Sequence, residues 1–166
     1  MDGRSYLRTI PELASLLKGA NHIDVKTVRS KKSLRDFLAS MFNYQPGWVT
    51  FLYGVRSVLV RFLGLRKSGI PRPLKVKPEA IPFQTGANLS FFRVRLAKEE
   101  NYIVAEVDDT HLKATLVIVV EQTEGQTRNF HVATVVNYHK WTGPVYFNLI
   151  RPFHHFVVQG MARAGS

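Results

Sequence analysis

The run WTGPVYFNLIRPFHHFVVQGM, Trp141 to Met161, decides how this chain folds. At the helical step of about 100° per residue, Tyr146, Phe147, Ile150, His154, Val157, Val158 and Met161 fall within one arc. Asn148, Arg151, His155 and Gln159 gather on the other side. The pattern predicts one long C-terminal helix with His154 turned inward and His155 outward. Pro144 suits the first turn, where the missing N–H is not needed, whereas Pro152 removes an interior bond to the Asn148 carbonyl and predicts a kink or break there. A histidine in an apolar arc is either a satisfied interior imidazole or a group that faces a ligand, and the sequence leaves both readings open.

The segments ahead of this helix supply what it packs against. A short helix is expected after Pro11, with Leu13, Leu16 and Leu17 on one side and Gly19 as its stop. His22 to Val28 alternates, with Ile23, Val25 and Thr27 in one phase, and reads as the first strand. Ser33 followed by Asp36 has N-cap spacing, and Leu34, Phe37, Leu38 and Met41 form the apolar stripe of a short helix that Tyr44-Gln-Pro46-Gly47 ends. A second helix is expected from Trp48, its stripe Trp48, Phe51, Leu52, Val55, Leu59, Phe62 and Leu63 turned to the core and Gly64 its stop. The four prolines between Lys67 and Pro82 then rule out further helix.

From Ala87 the period changes to two. Asn88–Lys98, Tyr102–Val107, His111–Glu121 and Thr127–Tyr138 are rich in β-branched and aromatic residues, and the joints between them are short and polar. They predict four successive antiparallel strands. Leu112, Ala114, Leu116, Ile118 and Val120 share one phase, as do Phe130, Val132, Thr134, Val136 and Tyr138. Val117, Val119, Ala133 and Val135 in the opposite phase imply that the second face is partly covered too.

Composition narrows the function. The 166 residues are expected to form a single domain, residues 1–166, and the absence of cysteine excludes disulfides and thiolate chemistry. No secretory leader is read at the N-terminus, and Arg56 and Arg61 interrupt the one long apolar run, so a cytoplasmic protein without a membrane span is expected. Residues 1–77 hold 15 Lys/Arg against 4 Asp/Glu, and residues 78–166 hold 8 of each, so the net charge of +11 belongs to the first part. Within it, the acid-free stretch from Arg56 to Lys77 holds seven basic residues and reads as a solvated loop or as a weak contact for an anionic surface or nucleic acid, with Arg66, Lys67, Arg72, Lys75 and Lys77 as the contact residues. Phe91 to Arg95 has the look of a nucleic-acid platform, but Phe92 falls in the core phase, which argues against that partner. Six histidines without paired spacing suggest no metal site, and no phosphate loop or nucleophile turn is present, so no cofactor is expected.

One strand, two short helices, a run of antiparallel strands and a long final helix is the order of the helix-grip fold, an α+β architecture in which a curved antiparallel sheet wraps the C-terminal helix. Over most of its length the chain resembles the domain of unknown function 2867 family, placed near the START-like and birch-pollen-allergen proteins. The resemblance is carried by Pro46-Gly-Trp48, Tyr53-Gly-Val-Arg56, Phe62-Leu-Gly-Leu65, Asp108-Asp-Thr-His111-Leu112 and Leu149-Ile-Arg-Pro152-Phe-His154. It implies the fold and an apolar pocket, and supplies no reaction. A small apolar ligand anchored by Arg56, Asp109, His111 and His154 is the first expectation. The alternative is a cyclase or hydrolase in which Asp108 or Asp109 orients His111 or His154 as a base, against the plainer reading of an Asx turn.

Overall fold

The computed structural model describes residues 2–51, 54, 75–123 and 125–166. Its centre is the pair of long strands whose alternation is strongest in sequence. Leu112–Gln122 (β5) and Arg128–Tyr138 (β6) pair antiparallel over their full length, from Leu112 opposite Tyr138 to Gln122 opposite Arg128. His22–Ser30 (β1) joins the free edge of β6, and Tyr102–Asp108 (β4), Phe92–Lys98 (β3) and Asn88–Leu89 (β2) continue beyond β5. The result is a six-stranded antiparallel sheet in the order β1-β6-β5-β4-β3-β2.

The expected strand at residues 88–98 is in fact two. Ser90 adopts φ 58°, the left-handed turn conformation, so β2 folds back on β3 with Leu89 opposite Phe92.

Each phase of the central strands buries against a different helical layer. Leu116, Ile118, Val120, Phe130 and Val132 face Leu34–Asn43 (α3) and the C-terminal helix Thr142–Gly165 (α4). Val117, Val119, Ala133 and Val135 face Gly3–Arg8 (α1) and Pro11–Leu17 (α2), where Leu7, Leu13 and Leu17 are buried. The helix-grip arrangement is therefore present, with a covered second face. Helix α1 was not expected: six residues without a side-chain cap carry too little periodicity to read, and the helix is held by the burial of Leu7.

Helix α3 starts as its spacing predicts. The Ser33 hydroxyl accepts from the Asp36 N–H at 3.1 Å and donates to the Asp36 carboxylate at 2.6 Å. Leu34, Phe37, Leu38 and Met41 are all buried, and Phe37 stacks on Phe130 with centroids 4.1 Å apart and planes 8° from parallel.

Two expectations need correcting. Residues 47–51 are helical, but Trp48 is 42% and Phe51 71% exposed, and Val49 is the buried residue instead. Three apolar residues on different sides of one turn let periodicity choose the wrong face. The rest of that stripe, from Leu52 on, and Gly64 lie outside the described residues, apart from the exposed Gly54. Of the kink or break expected at Pro152, the break is absent: α4 is one continuous helix of 24 residues. Pro152, Asn148 and Arg151 are all exposed, so the Asn148 carbonyl that loses its partner stays within reach of water. Among the described residues no helix is long and apolar enough to cross a membrane.

Replacing Phe37 by Ala removes a stacked, fully buried ring and is expected to cost about 3–5 kcal/mol of unfolding free energy in a denaturant titration. Ser33→Ala is expected to cost only about 1 kcal/mol, the loss of one helix cap.

Candidate functional site

Helix α4 is buried near both ends and stands away from the sheet in the middle. Gly143, Tyr146 and Phe147 are buried in its first half and Val158, Ala162 and Gly165 in its last turns, whereas Ile150, His154 and Val157 point inward yet stay partly accessible. The space they face is a cavity of about 250 Å³. All seven residues of the inward arc read from the sequence line it. The sheet contributes Val107, Leu112, Ala114, Leu116, Thr134 and Val136, and Met41, Phe42 and Tyr44 close the side next to α3. The volume lies just below the ~300–1,000 Å³ typical of small-molecule pockets.

Few polar groups meet this apolar lining. The His154 imidazole has no hydrogen-bond partner among the described residues; its nearest aromatic neighbour is Phe147, with centroids 6.3 Å apart. A satisfied interior histidine in the same protein looks different. His131, fully buried on the opposite face, has Nδ1 2.8 Å from Thr27 Oγ1 and Nε2 3.1 Å from Glu121 Oε2.

Burial pushes the His154 pKa down to about 4; Asp24 works against that shift, and His22, His155 and Lys26 add to it. The ring is therefore neutral near pH 7, able to donate from one nitrogen and accept at the other. Thr134 adds a second unsettled group: its Oγ1 is buried with no hydrogen-bond partner. No other buried side-chain N or O among the described residues is in that state.

A second, more open groove of about 680 Å³ lies on the other flank of α4, where the helix crosses β1. His22 and Asp24 form one wall and Asn148, Arg151 and His155 the other. Phe147 and His154 line both spaces and stand between them. Asp24 Oδ1 accepts from Lys26 Nζ at 2.7 Å, and the same Nζ lies 3.1 Å from His155 Nδ1.

The family model for a protein of unknown function, DUF2867, matches residues 16–161. The chain belongs to the DUF2867 family. No curated protein matches it significantly. Among solved structures, truncated norcoclaurine synthase from Thalictrum flavum is 12% identical with a TM-score of 0.44, over 87% of this chain and 90% of that one. The same plant's enzyme in complex with dopamine and hydroxybenzaldehyde is 12% identical with a TM-score of 0.43, over 87% and 83% of the two chains. The helix-grip assignment of the DUF2867 protein stands on its own sheet order and on the packing of α4.

Of the four ligand anchors expected from the sequence, Arg56, Asp109, His111 and His154, only His154 lines the cavity among those described. His111 is turned away because its neighbour Leu112 takes the inward phase. Its Nδ1 lies 2.6 Å from Thr142 Oγ1 and its carbonyl accepts from the His139 N–H at 2.9 Å, so it ties the β4–β5 turn to the start of α4. Asp109 forms the turn, its Oδ1 accepting from the Thr110 N–H and its own N–H donating to Leu112 O at 3.0 Å. The Asp–His pair that does form there is Asp108 with His139, 2.6 Å apart, both exposed and away from the cavity.

Lys75 and Lys77 are exposed on either side of Val76, whose backbone is clamped by Asn43 through bonds of 2.7 and 2.9 Å. Arg56, Arg66, Lys67 and Arg72 lie outside the described residues. The groove residues His22 and Asp24, and Lys26 that pairs with Asp24, were missed in the sequence. Their shared phase on β1 was a visible signal, but only α4 shows what they face.

Because the folded-state pKa of His154 is below its unfolded value of 6.5, protonation favours the unfolded chain. Its contribution to stability is complete above pH 6.5 and is lost as the pH falls toward 4, a loss of up to about 3 kcal/mol that solvent in the cavity reduces. Chemical denaturation of wild type and His154→Gln at pH 7.5 and pH 4.5 checks this: the wild type is expected to lose more stability between the two.

Proposed function

We propose that this single-domain protein binds or carries a small apolar ligand between its sheet and its C-terminal helix, without catalysing a reaction on it. One observation carries the reading. A neutral His154 without a hydrogen-bond partner among the described residues lines a largely apolar cavity, and its ring nitrogens are not sealed off from that space, so they are open to a bond from whatever fills it. A ligand that brings one hydrogen-bonding atom and an apolar body meets both requirements.

Thr134 supports the same reading. Rotation about χ1 exchanges its methyl and hydroxyl groups, and the hydroxyl has no partner to lose in the present position. The hydrolase or cyclase alternative gains no such support. Its base needs an orienting carboxylate, and among the described residues none is hydrogen-bonded to His154, while the Asp108–His139 pair lies outside the cavity.

Native mass spectrometry of the protein as purified is expected to show a retained ligand mass. Thr134→Val is expected to raise stability by about 1–3 kcal/mol, since it removes a buried unpaired hydroxyl, and His154→Gln to reduce ligand retention. No ligand mass, together with no binding of apolar probe molecules, would remove the proposal.

A further inference from the structure

We propose that the groove beside the cavity receives the carboxylate of an amphipathic ligand, with Arg151 and His22 as its partners and the apolar body passing His154 into the cavity. This rests on the reading above and names the ligand class.

The first ground is geometric. Two spaces that share Phe147 and His154 form adjacent compartments, one walled mainly by apolar side chains and one where His22, Asp24, Asn148, Arg151 and His155 stand beside Ile23, Pro152 and Phe156. A molecule large enough to leave the cavity on that side enters the groove, and its head must match what it finds there.

The second ground is the balance of charge. Asp24 is the one carboxylate among the described groove residues, and it is engaged by Lys26 at 2.7 Å, with His155 3.6 Å away. Arg151 is exposed and has neither hydrogen bond nor ion pair among the described residues. It is close enough to act on His22, whose pKa is lowered first by burial and then by Arg151, with Asp24 pulling the other way. One positive charge in the groove is therefore left without a partner. A planar guanidinium pairs best with a carboxylate, which it can hold through two parallel bonds, and His22 offers a further ring nitrogen. A neutral head group would leave that charge as it is.

Charges turned inward on an edge strand have another use, because β1 lies at the end of the sheet and such residues discourage pairing with a second edge. That role explains Asp24 and Lys26. It does not explain Arg151, which belongs to α4.

Octanoate and octanol share a tail and differ in the head, so calorimetric titration of each into the full chain at pH 7.5 separates the two compartments. Octanoate is expected to bind at least about tenfold more tightly than octanol, as a charge-assisted bond allows. Arg151→Gln is expected to abolish that difference by weakening octanoate alone, with Arg151→Lys intermediate and His22→Gln acting in the same direction. Arg151 is exposed, and circular dichroism of the variant checks that it folds. Equal binding of the two ligands, or a preference for octanoate unmoved by both Arg151→Gln and His22→Gln, overturns the carboxylate site and leaves the apolar carrier standing. Failure of both ligands to bind overturns the carrier reading and the carboxylate site with it.

Discussion

The close approach of α4 at its two ends is the constraint from which the rest of the site follows. A Cβ on Gly143 would lie 2.6 Å from the His111 carbonyl, and one on Gly165 would lie 2.6 Å from the Phe37 ring. Gly160 is as close to Tyr44, at 2.7 Å. Small residues let the helix touch the β4–β5 turn at one end and α3 at the other. Between them stand Ile150, His154 and Val157, whose side chains face a space instead of interdigitating with the sheet. The cavity is what remains between a helix held closely at both ends and the sheet it stands away from in the middle.

The histidines show how position in this frame sets chemistry. His131 is locked between Thr27 and Glu121 under α1, and His111 is spent on Thr142 at the start of α4. His139 meets Asp108 at the surface. His154 alone of these has no hydrogen bond to a described residue, and its low pKa follows from the apolar surroundings that desolvate its charged form. Two histidines adjacent in sequence diverge by one helical step, so His155 lines the groove beside Asp24, within reach of Lys26, while His154 lines both the groove and the cavity.

Helix α4 is also apolar over a wider arc than its contacts require. Trp141, Val145, Leu149, Phe153 and Phe156 are exposed along one flank, while the polar residues read from the sequence occupy the flank over β1. Phe153 belongs to both settings, since it is exposed and also lines the cavity. That flank is where apolar lining and surface meet.

Local periodicity settled a large part of this protein. The step of two in β5 and β6 and the 3.6-residue step in α4 depend on backbone geometry alone, so the inward residues of all three were legible, as was the Ser33 cap. The Asp108–Thr110 joint was legible as a turn for the same reason. What the inward arc would meet was not. His111 does not line the cavity because the alternation that brings Leu112 inward also turns its neighbour out, where Thr142 of α4 meets it, and Asp109 is taken up by its turn. Pro152 failed to break the helix because exposure lets water replace the lost bond, and exposure is a property of packing. Likewise the groove needs His22 from β1 and Arg151 from α4, separated by more than a hundred residues and joined only where the helix crosses the sheet. Sequence spacing fixes which way a side chain points along its own element; the distance to the facing element, which decides between a packed core and a cavity, exists only once both are in place.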